Sequence, residues 1–246
     1  MSDVIAPTPG VAKPDPVLVV EHVCRSFGGL LAVDVERLEV QRHTVTALIG
    51  PNGAGKTTLF NVLTGFDKPD RGSCSFDGQP IAGWPAYRIA RRGMVRTFQL
   101  TKALARLTVM DNMLLGAPNQ RGEHFAAALW PPSWRAQESE NATRALGLLD
   151  TFGLLAMKDD LAGTLSGGQR KLLEMARALM VDPALVMLDE PMAGVNPALV
   201  QSLLDHVLAL RDEGRTVVFV EHDMDVVMNI SDWVVCMAEG RVIAEG

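Results

Sequence analysis

A glycine-rich segment at residues 50–57 has the composition and spacing of a phosphate-binding loop. It reads Gly-Pro-Asn-Gly-Ala-Gly-Lys-Thr, and its position between the apolar run Val45–Ile49 and a helical pattern argues against a chance turn. Glycines let successive backbone N–H groups point at phosphate oxygens, and a helix N-terminus adds partial positive charge. We expect Lys56 to contact the β- and γ-phosphates of a nucleotide, Thr57 to offer its hydroxyl to Mg²⁺, and Thr58 to bind the α-phosphate. The predicted nucleotide-binding residues of this segment are Gly50, Pro51, Asn52, Gly53, Ala54, Gly55, Lys56, Thr57 and Thr58.

Two adjacent carboxylates, Asp189 and Glu190, follow the apolar run Leu185–Leu188. A parallel strand delivers the residues at its C-terminal end to the ligand crevice of an α/β sheet. Asp189 is then placed to hold Mg²⁺, and Glu190 to orient and polarise an attacking water. The alternative is an acidic strand end that only faces solvent, which a phosphate-binding loop in the same chain disfavours.

The elements that must position these residues alternate between short apolar runs and helical patterns. Strand-like runs and helix-like segments in alternation favour an α/β core with a mainly parallel sheet. The predicted strands are Val17–Val20, Val45–Ile49, Leu185–Leu188, Val217–Val220 and Val234–Met237. Helices are predicted from Lys56 to Gly65, from Ser166 to Leu179 and from Pro197 to Gly214. Residues 100–165 contain few strand-like runs and are predicted to form a helical insertion, with a loop-rich stretch over 117–139.

Composition excludes several classes of protein. The 246 residues are 48% hydrophobic and 21% charged, which is typical of a globular chain and not of a disordered one. A net charge of −6 argues against nucleic-acid binding through bulk positive charge. No run reaches the roughly 18 apolar residues of a membrane span, and no secretory signal is evident, so we expect a cytoplasmic chain. Residues 1–16 are predicted to be a flexible extension, and residues 17–246 a single nucleotide-binding domain.

Residues 164–169 (Thr-Leu-Ser-Gly-Gly-Gln) open the helix before the predicted Asp189 strand, and Ser166 is a suitable N-cap. With the phosphate loop and the carboxylates in this order, the chain resembles the ATP-binding-cassette (ABC) superfamily, whose signature is L-S-G-G-Q. The resemblance implies a P-loop NTPase fold: a RecA-like core sheet, an antiparallel β region and an inserted α-helical subdomain. It also implies that the signature contacts the ATP of a partner subunit. The signature residues are Ser166, Gly167, Gly168 and Gln169.

The resemblance assigns three further residues. Gln99 is similar to the Q-loop glutamine, which senses Mg²⁺ and water and joins the core to the helical subdomain. His222 follows a predicted strand and is similar to the switch histidine that contacts the γ-phosphate. Phe27 is similar to the aromatic residue that stacks on adenine, although tyrosine is commoner there and Phe27 is also compatible with the core. The predicted catalytic residues are Glu190, His222 and Gln99, and the predicted metal ligands are Thr57, Gln99 and Asp189.

Several stretches resemble a narrower group, the ATPases of branched-chain amino acid importers and of related amide and urea uptake systems. They are residues 27–33, 96–99, 192–197 and 221–224. One departure from the general cassette is the D-loop at residues 193–196, which has Asn196 where aspartate is usual. An aspartate-specific contact across the dimer is therefore in doubt.

The resemblance implies ATP and Mg²⁺ as ligands, and a head-to-tail dimer with a second copy or a paralogous ATPase. It also implies permease subunits, an extracytoplasmic solute-binding protein, and a place on the cytoplasmic face of the cell membrane. No nucleic-acid partner is expected. Alternatives are an ATPase for urea, amide or lipid transport, a soluble ABC ATPase of DNA repair or translation, and a nucleotide sensor without catalysis. The single cassette and the presence of Lys56, Glu190 and His222 disfavour the last two.

Overall fold

The computed structural model describes residues 8–97, 104–118 and 134–246. Within them, the strands form two sheets. A four-stranded antiparallel sheet has the order β2-β1-β4-β5, and a six-stranded sheet has the order β10-β9-β3-β8-β7-β6. The strands are β1 Pro16–Phe27, β2 Leu30–Gln41, β3 Val45–Ile49, β4 Arg71–Phe76, β5 Gln79–Pro80, β6 Met94–Arg96, β7 Leu185–Asp189, β8 Thr216–Val220, β9 Trp233–Ala238 and β10 Arg241–Glu245.

The six-stranded sheet is parallel from β9 through β6, and only β10 runs antiparallel, against β9. Its central strands β3, β7 and β8 are almost entirely buried apolar runs, as expected for strands covered on both faces. Parallel pairing places the C-terminal ends of β3, β6, β7 and β8 at one edge of the sheet. The predicted α/β class and mainly parallel core sheet are confirmed.

Seven α-helices lie in the described residues. They are α1 Lys56–Leu63, α2 Ala86–Arg91, α3 Val109–Leu114, α4 Arg135–Thr151, α5 Gly167–Ala178, α6 Pro197–Asp212 and α7 Met224–Ile230. Short 3₁₀ turns occur at Leu155–Met157, Ala162–Thr164 and Leu179–Val181.

The chain divides into two compact units. The first comprises residues 1–96, 184–192 and 204–246, and the second comprises residues 97–183 and 193–203. In the first unit, one hydrophobic core joins both sheets to α1, with Val20, Val35, Leu48, Phe60 and Val218 among its buried members. Burial of such side chains stabilises the fold by about 1.5–3 kcal/mol each.

In the second unit, α3, α4 and α5 contact one another around buried apolar residues such as Met113, Leu149 and Leu173. A buried polar residue, Asn112, fixes the start of this unit. Its side-chain amide donates to the carbonyls of Leu104 and Thr108 at 3.2 and 2.8 Å, and its oxygen accepts from the Leu104 N–H at 2.9 Å. These hydrogen bonds hold the irregular chain ahead of α3.

Part of the predicted flexible extension, within the described residues 8–15, makes specific contacts with β2, β9 and β10. Lys13 Nζ lies 3.3 Å from Glu245 Oε2, with both side chains nearly inaccessible, and 3.3 Å from the centre of the Trp233 ring. The Lys13 and Val11 N–H groups also donate to buried carboxylates, Glu39 and Glu245. Buried charged partners from β2 and β10 hold these residues, and the sequence pattern around the prolines carries no sign of that pairing.

The predicted strands and helices are present, but several elements were not predicted. Apart from the predicted run Val17–Val20 at the start of β1, the β1–β2 hairpin and β4 alternate buried with exposed residues and carry charges, so no further apolar run marks them. In the predicted loop-rich stretch over 117–139, α4 already begins at Arg135. Residues 119–133 of that stretch lie outside the described residues.

Candidate functional site

An open cleft of about 640 Å³ lies in the first unit, where the phosphate loop and α1 begin. The chain segments that reach it come from the ends of β1, β3, β7, β8 and β9 and from the start of β2. Its lining residues are Phe27, Leu30, Leu31, Ala32, Asn52, Gly53, Ala54, Gly55, Lys56, Thr57, Thr58, Glu190, His222 and Glu239. Phosphate-loop, aromatic, acidic and imidazole groups predicted separately from the sequence thus share one cleft.

The loop leads from the end of β3 to the start of α1, and two of its glycines have no room for a side chain. A Cβ on Gly50 would lie 2.1 Å from the Met237 carbonyl oxygen, and one on Gly55 would lie 2.4 Å from the Ala32 carbonyl oxygen. Gly55 also has φ of +94° and is the N-cap of α1 without a side-chain hydrogen bond. The first N–H groups of α1 have no partners within their helix, so they can donate to an anion in the cleft.

The Lys56 side chain is drawn across the loop. Its Nζ donates to the carbonyl oxygens of Gly50 at 2.6 Å and Pro51 at 3.0 Å, and the residue is buried. Burial lowers the pKa of the Lys56 ammonium, and the nearby charges of Glu190 and Asp189 oppose that shift. A cation with mostly neutral hydrogen-bond partners would be further stabilised by an anion such as a phosphate.

Glu190 and His222 meet over the same cleft. His222 Nε2 lies 2.8 Å from Glu190 Oε1, a hydrogen bond in which the imidazole N–H donates to the carboxylate. Glu190 directly follows β7, has a positive φ of 48°, and its backbone N–H donates to the Val220 carbonyl at 3.1 Å. The backbone of Glu190 is thus held by the end of β8 and its carboxylate by the imidazole, and both residues line the cleft.

Glu221 is a positioning residue that the sequence analysis did not single out. It is buried between the two strand ends, where its carboxylate accepts from the Met192 N–H at 2.8 Å and the His222 N–H at 3.3 Å. It therefore ties the segment after Glu190 to the segment carrying His222. Its position in the sequence could have identified it, because Glu221 is an acidic residue directly after the apolar run Val217–Val220, as Asp189 is after Leu185–Leu188.

Asp189, the last residue of β7, is buried and paired with Arg96, the last residue of the neighbouring β6. Arg96 Nη2 lies 2.6 Å from Asp189 Oδ2, and Arg96 Nη1 donates to Asn61 Oδ1 of α1 at 2.6 Å. The side chains of Arg96 and Asp189 are only 5% and 3% exposed. The carboxylate predicted to hold Mg²⁺ thus has a cation beside it from its own chain.

Phe27 lies at the mouth of the cleft, 44% exposed, at the end of β1. The Arg25 guanidinium lies 4.5 Å from the centre of its ring. Asp67 and Asp70 in turn hold Arg25 through ion pairs of 3.0 Å each. An exposed ring fixed from one side offers its other surface to a flat ligand, which is the arrangement that stacking on a base requires. Its exposure also shows that Phe27 is not a core residue.

The signature residues belong to the second unit. Ser166 is the N-cap of α5, and its hydroxyl accepts from the Gln169 N–H at 3.3 Å while Gln169 Oε1 accepts from the Ser166 N–H at 2.9 Å. This reciprocal pair is a capping box. Gly168 is packed so that a Cβ there would lie 2.5 Å from a methyl carbon of Leu199, whereas Gly167 is exposed. The helix start is thus well formed and accessible.

Not every predicted site residue falls in the cleft. Gly50 and Pro51 shape the loop through their carbonyls, and Asp189 lies beneath it in the ion pair with Arg96. Gln99 lies outside the described residues. The remaining core-unit predictions lie on the cleft wall, and the roles of all of these residues stay predictions.

Comparison with known proteins decides the family. Residues 34–193, more than half of the chain, match the ABC transporter family. The chain belongs to the ABC transporter family. It is accordingly an ATP-binding cassette with ATPase activity, and the fold and family predicted from the sequence are confirmed.

Curated relatives cover nearly the whole cassette. The high-affinity branched-chain amino acid transport ATP-binding protein BraF of Pseudomonas aeruginosa is 42% identical over 233 residues, covering 94% of this chain and 91% of its own. The probable branched-chain amino acid transport ATP-binding protein LivG of Methanocaldococcus jannaschii is 40% identical over 230 residues, covering 94% and 89%. The predicted likeness to the branched-chain amino acid group is confirmed.

Solved structures of cassettes have the same fold. A crystal structure of the ADP conformation of an ATP-binding cassette from an ABC transporter is 39% identical, with a TM-score of 0.82, and covers 94% of this chain and 91% of its own. A dimeric ABC transporter cassette at 24% identity has a TM-score of 0.77 and shares the fold. Within the described part of the cassette, no helix has the length and apolar character needed to cross a membrane.

Proposed function

We propose that this cassette hydrolyses ATP to power the uptake of branched-chain amino acids through a membrane permease. The observation that carries the proposal is the cleft in which the phosphate loop, Phe27, Glu190 and His222 converge. The substrate class is supported by relatives that are 40–42% identical over 94% of the chain and are named for branched-chain amino acid transport. The residues described here do not themselves recognise a solute, so the solute is assigned by similarity.

In the proposed reaction, the phosphate chain of ATP lies along the loop at the N-terminus of α1. Lys56 and the N–H groups of the first helical turn neutralise the β- and γ-phosphates, while Phe27 stacks on adenine. Glu190 orients the water that attacks the γ-phosphate. His222, held 2.8 Å from that carboxylate, keeps it directed into the cleft and reaches toward the γ-phosphate. Charge stabilisation and alignment account for most of the acceleration in such sites.

The residues present fit a magnesium ion bound with the nucleotide. The donors are the exposed Thr57 hydroxyl, the Asp189 carboxylate and, by resemblance, Gln99: hard oxygen atoms of the kind that Mg²⁺ prefers. Among the described residues no group of three His, Cys, Asp or Glu side chains is placed to hold a metal ion, and the remaining ligands would be phosphate oxygens and water. When bound, Mg²⁺ neutralises charge that develops on the transferred phosphoryl group.

The complete site would form in a head-to-tail pair of cassettes. The start of α5 comprises Ser166, Gly167, Gly168 and Gln169, of which Ser166 and Gly167 are exposed. It is a second phosphate-binding helix end, and it serves the nucleotide of a partner cassette. The partner is a second copy or a paralogous ATPase. With Asn196 in the D-loop, any contact across the pair at this position is made by an amide rather than a carboxylate.

Closure and opening of the pair would be transmitted to permease subunits at the cytoplasmic face of the cell membrane. An extracytoplasmic solute-binding protein would deliver the solute. The alternatives are ATPases for urea, amide or lipid transport, and the identity of the permease partner distinguishes them.

A trapping experiment tests this function. A tagged Glu190→Gln chain is expressed in its native host, the membranes are solubilised with ATP and Mg²⁺, and co-purifying proteins are identified. We expect two multi-spanning permease subunits together with a second cassette. Binding of leucine, isoleucine or valine by the associated solute-binding protein would support the solute class. Recovery of ribosomes, DNA or only soluble proteins would refute the transport function.

A further inference from the structure

The ion pair between Arg96 and Asp189 places a permanent positive charge beside the residue that the proposed function assigns to Mg²⁺. We propose that Arg96 is a positioning residue for the metal: it holds Asp189 by one carboxylate oxygen and weakens the affinity of the empty site for a divalent cation. Magnesium would then bind only together with nucleotide, whose phosphates supply the missing negative charge. This inference rests on the proposed function.

The geometry makes the guanidinium a fixed part of the site. One nitrogen, Nη2, lies 2.6 Å from Asp189 Oδ2, and the other, Nη1, lies 2.6 Å from Asn61 Oδ1. The Phe60 ring lies beneath it, with its centre 5.5 Å from the guanidinium carbon. An arginine held at both terminal nitrogens, with its side chain 5% exposed, has little freedom to move away from the carboxylate.

Because the ion pair is buried, the charge of Arg96 is weakly screened by solvent. A carboxylate that is 3% exposed needs a compensating cation, and breaking such a pair leaves an uncompensated buried charge. With Arg96 in place, Asp189 is already neutralised, and an approaching divalent cation is repelled by the guanidinium a few ångströms away. At the effective dielectric constant of about 20 that suits protein sites, repulsion at such a range amounts to a tenfold or larger change in affinity.

The first test measures metal binding without catalysis. Mn²⁺ replaces Mg²⁺ because it accepts the same oxygen ligands, and its free concentration is followed by electron paramagnetic resonance at pH 8, first without nucleotide and then with ADP. Arg96→Gln is expected to bind Mn²⁺ about 10-fold more tightly than the unchanged chain. Arg96→Lys keeps the charge and should remain within about 3-fold. ADP affinity in EDTA should not increase in either variant.

A second variant protects the test against misfolding of Arg96→Gln. Asn61→Asp keeps Arg96 and its ion pair with Asp189, and the added carboxylate on the partly buried residue 61 offsets the guanidinium charge that repels the metal. It should tighten Mn²⁺ binding by about 3-fold. A purely structural role for Arg96 would change the unfolding midpoint and leave Mn²⁺ affinity unaltered.

Asp189→Asn separates this inference from the proposed function. If Asp189→Asn weakens Mn²⁺ binding but Arg96→Gln and Asn61→Asp leave it unchanged or weaker, the role of Arg96 is refuted and the metal role of Asp189 stands. If Asp189→Asn has no effect on Mn²⁺ binding, Asp189 is not a metal ligand, and both the assignment and the inference fall.

Discussion

Two helix N-termini in this cassette are built differently although both are expected to bind phosphate. The start of α1 is capped by Gly55 in a left-handed conformation, without a side-chain hydrogen bond. The start of α5 has a complete capping box between Ser166 and Gln169. The start of α1 leaves its first N–H groups available to a ligand, whereas at the start of α5 the capping box already provides hydrogen-bond partners for some of the N–H groups. One end is suited to bind nucleotide alone, and the other is stable alone and adds to a site formed elsewhere.

The largest expected effect tests whether the chemistry belongs to the α1 end. Glu190→Gln keeps the size of the side chain but cannot polarise the attacking water, so ATP turnover should fall at least ~100-fold while ATP and Mg²⁺ remain bound. The measurement is steady-state phosphate release beside equilibrium nucleotide binding. Glu239→Gln is the matched control, because Glu239 lines the same cleft and has no assigned role. Near-normal turnover in Glu190→Gln would remove Glu190 from the catalytic role.

The next effect concerns nucleotide affinity at the same end. Lys56→Ala removes a charge-assisted contact worth about 1.5–3 kcal/mol and should weaken ATP binding by about 10- to 100-fold. The fold should tolerate the change, since burial lowers the pKa of Lys56 and so opposes its charged form. Fluorescence titration with a labelled nucleotide measures it, with the exposed Lys68→Ala as control. Unchanged affinity would contradict the phosphate contact.

A third prediction tests the backbone shape of the loop. Gly50→Ala places a Cβ 2.1 Å from the Met237 carbonyl oxygen, and the resulting shift should lower the free energy of unfolding by about 2 kcal/mol. Gly53→Ala is the control: its φ is +81°, but no atom lies within 4 Å of the added Cβ, so only about 1 kcal/mol of backbone strain is expected. Urea unfolding of both variants gives the difference. Equal losses of unfolding free energy in the two variants would show that the crowding at Gly50 does not destabilise the fold.

The smallest effect is expected at the α5 end. Ser166→Ala removes the N-cap and should cost about 1 kcal/mol of stability, whereas Ser166→Thr should keep most of it. Nucleotide affinity of the isolated chain should be unchanged in both. Thermal unfolding and the same titration used for Lys56→Ala provide the comparison. A fall in the nucleotide affinity of the isolated chain would mean that the two helix ends do not act separately.

Local sequence patterns were sufficient to predict the parts of the site whose residues lie close together in the chain. The phosphate loop, its flanking strand and helix, and the capping serine are short-range features, so residue type and spacing identify them. The acidic strand end at Asp189 was also predicted, because parallel strands present their C-terminal ends on one edge.

The parts that were not predicted depend on contacts between distant segments. Arg96 and Asp189 are 93 residues apart in sequence, and Glu221 and Met192 are 29 apart. Their pairing follows from the order of β6, β7 and β8 in the sheet, which no periodicity reports. The ion pair between Lys13 and Glu245 was not predicted for the same reason, since it joins residues 232 positions apart.

The positive φ of Glu190 has a consequence for how this protein can change over evolutionary time. A non-glycine residue in the left-handed region costs about 1–2 kcal/mol, which glycine would recover. A glycine would recover this cost but lose the hydrogen bond with His222, so the backbone itself gives no reason to keep a glutamate here, whereas turnover does. A copy of this gene released from selection for turnover should lose its carboxylate early, and the protein that results should be more stable than its active parent.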